Sequence, residues 1–483
     1  GGSSRACLAD VGTSPTPRRP WRLRSSERRW LLIAGDFLAA AAAAVVALYL
    51  WSRLDYLGNE SLATFIRLRA PWFPFVPLIW PLLMVDLYDL RLASSWRHTL
   101  RGLALAAGAG VVIYLIVYFT AGQGSLPRRG VLYFLASAVV LTFLWRLLYV
   151  RVFTAPALMR RVLLVGAGES GQELLTLTRQ LQPGPFHIVG LVDDDPAKQG
   201  KEFQGVRVLG DNRRLLEIAN AQAVTDIIVA IQGAMNGAMF QALLDAQQAG
   251  IEITRMPVAY EELMQRVPIQ HLESDWILRS FVDEVRVSGV YQLTKRLMDL
   301  AGGFVGVVAF LLTMPAVALA IMIESGSPVF YRQTRLGQGG RPYTILKYRT
   351  MRADAEADGK PQWAMDRDPR MTRVGRLLRR IYMDEVPQFW NVVLGDMSIV
   401  GPRPERPELV AELERGIPFY RARLLVKPGI TGWAQINYGK GASIEGSAEK
   451  LEYDLYYIKH RGLILDLWIV LRTMGTVIGL RGR

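Results

Sequence analysis

From the amino end, long apolar runs alternate with mixed segments. Trp30 to Trp51 is apolar apart from Asp36. It is long enough to cross a hydrocarbon core of about 30 Å as a helix, and it lacks the cleavage pattern of a signal peptide. A second run over 71–88 holds Pro71, Pro74, Pro77 and Pro81, which predicts a kinked span. Leu103 to Thr120 carries no charge, and the run over 130–150 has Arg146 near one end. Together these runs predict a bundle of four transmembrane helices over 30–153. Asp36 and Asp86 are read as structural carboxylates near span ends. Residues 1–29, with arginines scattered among prolines and serines, read as a disordered basic arm.

From Arg160 the period changes. Arg160 to Val165 is a short β-branched-rich run, followed by Gly166-Ala167-Gly168-Glu169-Ser170-Gly171 and a helical pattern to Gln180. Ile188 to Val192 then reads as a second strand ending in Asp193. Strand, glycine loop, helix, strand and acid, with the acid about 20 residues on, is the order of a dinucleotide-binding fold. The segment 158–270 is therefore expected to be a Rossmann-like domain. Gly166, Gly168, Gly171 and Asp193 are its candidate nucleotide-binding residues. A linker over 271–290 follows.

A fifth apolar run, Leu300 to Ile323, lies between Asp299 and Glu324. At 1.5 Å per residue it would reach about 36 Å, enough to cross. Crossing would put the remainder on the far side of the membrane from an activated phosphate donor in the cytosol. A helix over about 294–325 that breaks at Pro315 and returns to the same face resolves the conflict, because interior proline removes a hydrogen bond and kinks a helix. A straight fifth span is the alternative.

The remaining residues, within a domain over 291–483, carry the candidate chemistry. Asp384 and Glu385 are adjacent, just ahead of Pro387, a residue suited to the first turn of a helix. Adjacent helical residues do not share a face, so the two carboxylates are assigned different roles. Val386, Phe389, Trp390, Val393 and Leu394 recur behind them at helical spacing. Gly401-Pro402-Arg403-Pro404 makes a stiff turn bearing one guanidinium, and Lys347 and Arg349 sit on one face of an alternating strand. Carboxylates beside fixed cations suit phosphate chemistry with a divalent metal. Taken alone, the pair reads first as a solvated helix start with Arg403 as its surface partner, and the rest of the chain shifts the balance toward chemistry. Arg376 to Arg380 reads as an amphipathic helix for an anionic membrane surface.

Composition narrows the class. About half of the 483 residues are hydrophobic and the net charge is +14, with a pI near 9.9 and mean hydropathy +0.18. This describes a membrane protein with basic cytoplasmic surfaces; no basic tail interleaved with aromatics marks a nucleic-acid binder. One cysteine, Cys7, and four scattered histidines offer no disulfide and no zinc spacing. Arg28 and Arg29, Arg97 and Arg101, and Arg160 and Arg161 flank the spans on what the positive-inside rule makes the cytoplasmic side.

Four motifs in combination resemble the bacterial sugar transferases, the polyprenyl-phosphate glycosyl-1-phosphate transferases. They are Asp384-Glu385-Val386-Pro387-Gln388, Gly395 to Pro404, Lys347 to Met351, and Lys427 to Gln435. The amino-terminal spans and Rossmann-like domain are similar to those of the large members, such as undecaprenyl-phosphate glucose or galactose phosphotransferases. Val386 and Tyr348 stand where leucine and phenylalanine are usual, and Met314 precedes Pro315 where small members often have serine. The resemblance implies a multi-pass protein of the bacterial inner membrane with a monotopic catalytic domain on the cytoplasmic face. It implies transfer of a sugar 1-phosphate, glucose or galactose, from a UDP-sugar to undecaprenyl phosphate, with UMP released at the start of exopolysaccharide, capsule or O-antigen assembly. On the matching residues, Asp384 becomes the nucleophile, Glu385 the Mg²⁺ ligand, and Arg403 a contact to donor phosphate, with Lys347 and Arg349 as further candidates. Direct transfer without a covalent intermediate is a rival mechanism. A membrane-anchored NAD-dependent UDP-sugar enzyme and a nucleotide-sensing scaffold are rival functions. A homodimer is compatible with the large form.

Overall fold

A computed structural model of the chain describes residues 25–54, 75–88, 96–120, 128–153, 159–181, 186–271, 289–352, 355, 368–438 and 443–478. The basic arm to residue 24 and most of the expected linker (272–288) lie outside the described residues; Ser25 already opens the first helix. The chain divides into two compact units, one centred on 144–259 and the other on 260–483.

Among the described residues three helices are long and apolar enough to cross a membrane: Glu27–Leu54, Gly130–Val152 and Gly289–Ser325. The second expected span is represented by Val76–Leu83, a helix too short to cross, with Pro81 inside it, and part of that span lies outside the described residues. The third forms a helix, Trp96–Thr120. Trp80 Nε1 donates to Thr142 Oγ1 at 3.0 Å. Asp36, expected near a span end, instead lies well inside its helix and is fully buried.

In the first unit a six-stranded sheet has the order β3-β4-β2-β1-β5-β6. Its strands are β1 (Arg160–Val165), β2 (Phe186–Val192), β3 (Glu202–Phe203), β4 (Val206–Gly210), β5 (Asp226–Val229) and β6 (Glu252–Arg255). All pairs are parallel except β3 on β4. Parallel strands are covered on both faces, which is why they read as continuous apolar runs; Leu163, Val165, Val192, Ile227 and Val229 pack with Leu243 and Ala246 from the helix Gly237–Gln248. The strand order reverses between β1 and β5, and the glycine loop leaves β1 at that point, where open α/β sheets bind ligands.

The second unit is built on the long helix Gly289–Ser325, the antiparallel hairpin β7 (Phe330–Leu336) and β8 (Pro342–Tyr348), and the short parallel pair β9 (Ser398–Val400) and β10 (Gly429–Thr431). Helices Pro407–Gly416, Ile444–His460 and Leu463–Ile478 close its core. That core includes Val400, Val410, Leu413, Trp433, Leu451, Tyr457 and Ile469. Val267 and Ile269 are buried in the same cluster. The Rossmann-like domain was expected to reach residue 270, but these side chains leave the sheet and complete the core of the second unit. Val267 N donates to the Glu452 carbonyl at 3.1 Å, and Trp433 Nε1 donates to the Gln265 carbonyl at 2.8 Å.

The long helix packs one stripe along its own unit from end to end. Gly303 meets Val393, and Gly306 sits under the Phe389 ring, where an added Cβ would fall 2.1 Å from Cγ. Phe310, Met314, Val317 and Ile321 continue the stripe against Tyr348, Leu378, Met383 and Val386. Steps of three and four residues keep all of these on one helical face. The other side exposes Phe304, Val305, Leu311, Leu312, Leu319 and Ile323. The helix is continuous through Pro315, so the expected break does not interrupt it.

Candidate active site

Three separate elements of the second unit bring four charged side chains together. β8 carries Lys347 on its last turn of the ladder, paired with Tyr331 of β7. The carboxylates lie in a 3-10 turn, Met383–Gln388, with Pro387 inside it, which runs directly into the helix Phe389–Leu394. The expected placement at a helix amino end therefore takes the form of a tighter turn ahead of the helix. Tyr382, just before it, has a left-handed backbone with φ 57°, uncommon for a side chain of this size. Arg403 comes from the turn after β9.

Glu385 Oε1 accepts from Lys347 Nζ at 2.9 Å and from Arg403 Nη2 at 2.7 Å. Asp384 is 8% exposed and accepts no hydrogen bond among the described residues. Burial followed by the charge of Glu385 pushes the Asp384 carboxyl up, against the pull of Lys347, Arg379 and Arg403. Burial would also raise Glu385, but Arg403 and Lys347 outweigh it and hold that carboxyl well below the usual range. Glu385 in turn lifts Arg403 above the usual arginine value. Burial pulls Lys347 down, and the attraction of Glu385 offsets this only in part. The neighbouring carboxylates are thus different chemical objects: Glu385 is a fixed anion bound by two cations, and Asp384 is a buried carboxylate with no hydrogen-bond donor among the described residues.

Asn391, unnoticed in the sequence because it falls within an apolar helical pattern, fixes this arrangement. It is buried; its Nδ2 donates to the Thr344 carbonyl at 2.8 Å and its Oδ1 accepts from Leu346 N at 3.2 Å. This pins the helix behind the carboxylates to the strand that carries Lys347. The Arg403 turn is seated on the Lys427 to Gln435 loop. Gly401 N donates to the Thr431 carbonyl at 2.9 Å and Gly429 N to the Pro402 carbonyl at 2.9 Å. A Cβ on Gly432 would fall 2.1 Å from the Gly401 oxygen, so backbone must meet backbone there. Arg379 is a second side chain the motif reading left on the membrane face; its Nε donates to Thr350 Oγ1 at 3.0 Å.

Arg349 is placed elsewhere. β8 ends at Tyr348, and the Arg349 guanidinium turns to the end of the long helix, donating to the Ser325 carbonyl and Oγ, both at 2.8 Å, and to the Gly326 carbonyl. The last carbonyls of a helix lack partners within it, and arginine satisfies them. Through Nη2 it acts as a cap on that helix end. Glu324 clamps the same end, accepting from Arg373 N at 2.6 Å and Val374 N at 2.7 Å.

The glycine loop of the first unit is tightly packed between β1 and the helix Glu169–Gln180. Gly166 is left-handed at φ 106°. A side chain on Gly168 would point into open space, and one on Gly171 would fall 2.1 Å from the Gly166 oxygen. Asp193 is committed within the protein: it accepts from Ala167 N at 2.7 Å, Asp195 N at 2.9 Å and Lys198 Nζ at 3.1 Å. Burial raises its carboxyl, and these donors more than reverse that.

Residues 290–479 match the profile of the bacterial sugar transferase family, and 84–257 match a CoA-binding domain profile. The UDP-N-acetylgalactosamine-undecaprenyl-phosphate N-acetylgalactosaminephosphotransferase of Aeromonas hydrophila is 40% identical over 230 residues, 48% of this chain and 53% of that protein. The UDP-glucose:undecaprenyl-phosphate glucose-1-phosphate transferase of Escherichia coli (strain K12) is 32% identical over 320 residues, 65% of this chain and 67% of that protein. The undecaprenyl-phosphate glucose phosphotransferase of Komagataeibacter xylinus is 29% identical over 457 residues, 89% and 81% of the two chains. The chain spans little more than half the length of the Aeromonas hydrophila and Xanthomonas campestris relatives, at 53% and 58%.

Proposed function

The chain belongs to the bacterial sugar transferase family, and on that premise we propose that it moves a sugar 1-phosphate from a UDP-sugar to undecaprenyl phosphate at the cytoplasmic face of the inner membrane. The observation that carries this reading is the division of labour between Asp384, unpaired, and Glu385, bound by Lys347 and Arg403. The acceptor is already an anion and needs no general base. Asp384 attacks the β-phosphorus of the donor; the new P–O bond forms as the bond to the bridging oxygen breaks, and UMP leaves. An oxygen of undecaprenyl phosphate then attacks the same phosphorus and releases the carboxylate. Arg403 and Lys347 offset the charge that gathers on the transferring phosphoryl oxygens.

The donor set fits Mg²⁺. Lys347 and Arg403 both donate to Oε1 of Glu385, leaving Oε2 as the hard oxygen ligand this ion prefers. Among the described residues no cluster of three His, Cys, Asp or Glu side chains could hold a metal, so donor phosphates and water would complete the shell. When bound, the ion would neutralise diphosphate charge.

We place the long helix in the membrane without crossing it. At about 1.5 Å per residue its 37 residues reach roughly 55 Å, against a hydrocarbon core of about 30 Å. Both ends take polar partners from the same unit: Arg296 Nη1 donates to the Val392 carbonyl at 2.9 Å, and Glu324 accepts from Arg373 N at 2.6 Å. A helix that stays unbroken but kinks at Pro315, and so enters and leaves by one face, meets both constraints. UDP-glucose and UDP-N-acetylgalactosamine are the donors to try first, since the relatives named for them share the transferase segment.

UMP release from a panel of UDP-sugars, with undecaprenyl phosphate and Mg²⁺, tests the reading. Asp384→Asn should lose about a thousandfold or more in kcat, and the wild type without acceptor should release one equivalent of UMP and hold the phosphosugar on Asp384 in a mass spectrum. Unchanged release from the variant would remove Asp384 as nucleophile, and release that always requires acceptor would favour direct transfer.

A further inference from the structure

Arg403 is half exposed, with 49% of its side chain open, so its aim depends on the turn that carries it. That turn is held by a buried charge cluster whose members the motifs do not mark. Arg423 Nη2 donates to the carbonyl of Arg403 at 3.0 Å and to Asp454 Oδ2 at 2.9 Å. Its Nη1 donates to the Tyr420 hydroxyl at 2.5 Å and lies 3.8 Å from Glu405 Oε1. Arg335 Nη1 donates to the next carbonyl, Pro404, at 3.1 Å, and lies 3.7 Å from Glu405 Oε2. Leu336 N donates to the carbonyl after that, Glu405, at 3.1 Å. Three consecutive carbonyls of the turn are thus each taken by a donor from elsewhere in the unit.

The Arg423 and Asp454 side chains are 6% and 2% exposed. A buried ion pair contributes little net stability, because desolvation offsets its attraction. What this pair supplies is a fixed direction: a planar fork that reaches the carboxylate and the Arg403 carbonyl together. We propose that Arg423 and Asp454 are positioning residues for the donor, holding the Arg403 turn so that its guanidinium meets the diphosphate beside Glu385. The inference rests on the reading that Arg403 binds donor phosphate.

The pair also brings a pH dependence. Burial pushes the Asp454 carboxyl up to about 6, with Arg423 and Lys450 pulling it down and Glu405 pushing it up. Tyr420, the remaining titratable group on Arg423, is itself pushed up to about 12 by burial and stays neutral through this range. Above that midpoint Asp454 is an anion and grips Arg423; below it the charge is gone and the turn loosens.

The test uses the full chain carrying Asp384→Asn, which binds donor without turnover and removes Asp384 from the titration. The probe is UDP-glucose or UDP-N-acetylgalactosamine, whichever binds tighter, measured by calorimetry; neither titrates near neutrality. Arg423→Lys keeps the charge and loses the fork. It should weaken binding roughly tenfold, and by less than about twofold when Arg403→Ala is already present, since coupled residues are not additive. Affinity should fall several-fold as pH drops through the Asp454 midpoint. Asp454→Asn should start at the weakened level and stay flat. If Arg403→Ala leaves affinity unchanged, the reading of Arg403 fails and takes this inference with it. If Arg403→Ala weakens binding while Arg423→Lys does not, or costs as much with Arg403→Ala as without it, Arg423 does not act through Arg403. The inference is then overturned while the proposed site stands; a variant that merely unfolds gives this second result.

Discussion

At the scale of single residues, the same side-chain chemistry takes two forms within one turn. Asp384 is unpaired and pushed up by burial; Glu385 is held down by Arg403 and Lys347. In the proposed mechanism Asp384 is the nucleophile and must be ionised, so turnover at saturating donor should rise with pH through the Asp384 midpoint, above the ordinary aspartate value. Glu385, already an anion throughout, should add no step. Lys347 is among the cations that lower Asp384. Lys347→Met should therefore move the acid limb of kcat to higher pH as well as slow the reaction, and a limb that stays put or moves down would mean Lys347 does not act on Asp384. The dyad, Arg403 and Lys347 were visible in the sequence because each sits in a short motif with an unusual density of charge next to proline or glycine. Arg349 comes from the same motif: strand alternation puts it on the face of Lys347, and the nearby end of the long helix, with its unpartnered carbonyls, draws its Nη2 there. Arg423 and Asp454 lie 31 residues apart, and nothing local distinguishes them from surface charges.

At the scale of elements, the site depends on joints between pieces that are each too short to stand alone. The helix Phe389–Leu394 has six residues and β9 and β10 have three each, so they hold position only through contacts with one another. Asn391 is one such joint. Asn391→Leu would leave the amide of Leu346 and the carbonyl of Thr344 without their partner, and it should cost about 1–3 kcal/mol of stability, read as a lower denaturation midpoint with an unchanged slope. Activity should fall further than stability does, because the strand bearing Lys347 is freed from the helix behind Glu385; activity in proportion to folded protein alone would argue against that joint. The apolar periodicity of this helix was legible, and the polar residue inside it was not, since period reports which face is buried and not what the buried face must bond. The long helix shows the same limit: its apolar length was plain at Leu300 to Ile323, while its helical start at Gly289 and its packing stripe through Gly303 and Gly306 depend on partners distant in sequence.

At the scale of the molecule, the boundary between the units is not where the change of sequence pattern puts it. The alternation of strand and helix ends at β6, and the segment after it looks like more of the same domain. Yet Val267 and Ile269 are buried among Trp433, Leu451 and Tyr457, and Gln265 accepts from the Trp433 indole. Ile269→Ala should cost about 2–5 kcal/mol, felt in the transition of the transferase unit; a loss confined to the sheet-bearing unit would contradict this assignment. The Rossmann-like sheet itself was legible in its β-branched runs and its glycine loop, because parallel strands and tight turns are written locally.

The open apolar side of the long helix changes what concentration means for this protein. Phe304, Leu312, Leu319 and Ile323 face outward along its length, and in the proposed reaction a body held by such a side meets its lipid-borne acceptor by sliding in two dimensions. The quantity that sets encounter is then molecules of acceptor per area of lipid, not per litre. Diluting the buffer would leave it unchanged, and adding inert lipid at constant volume would lower it.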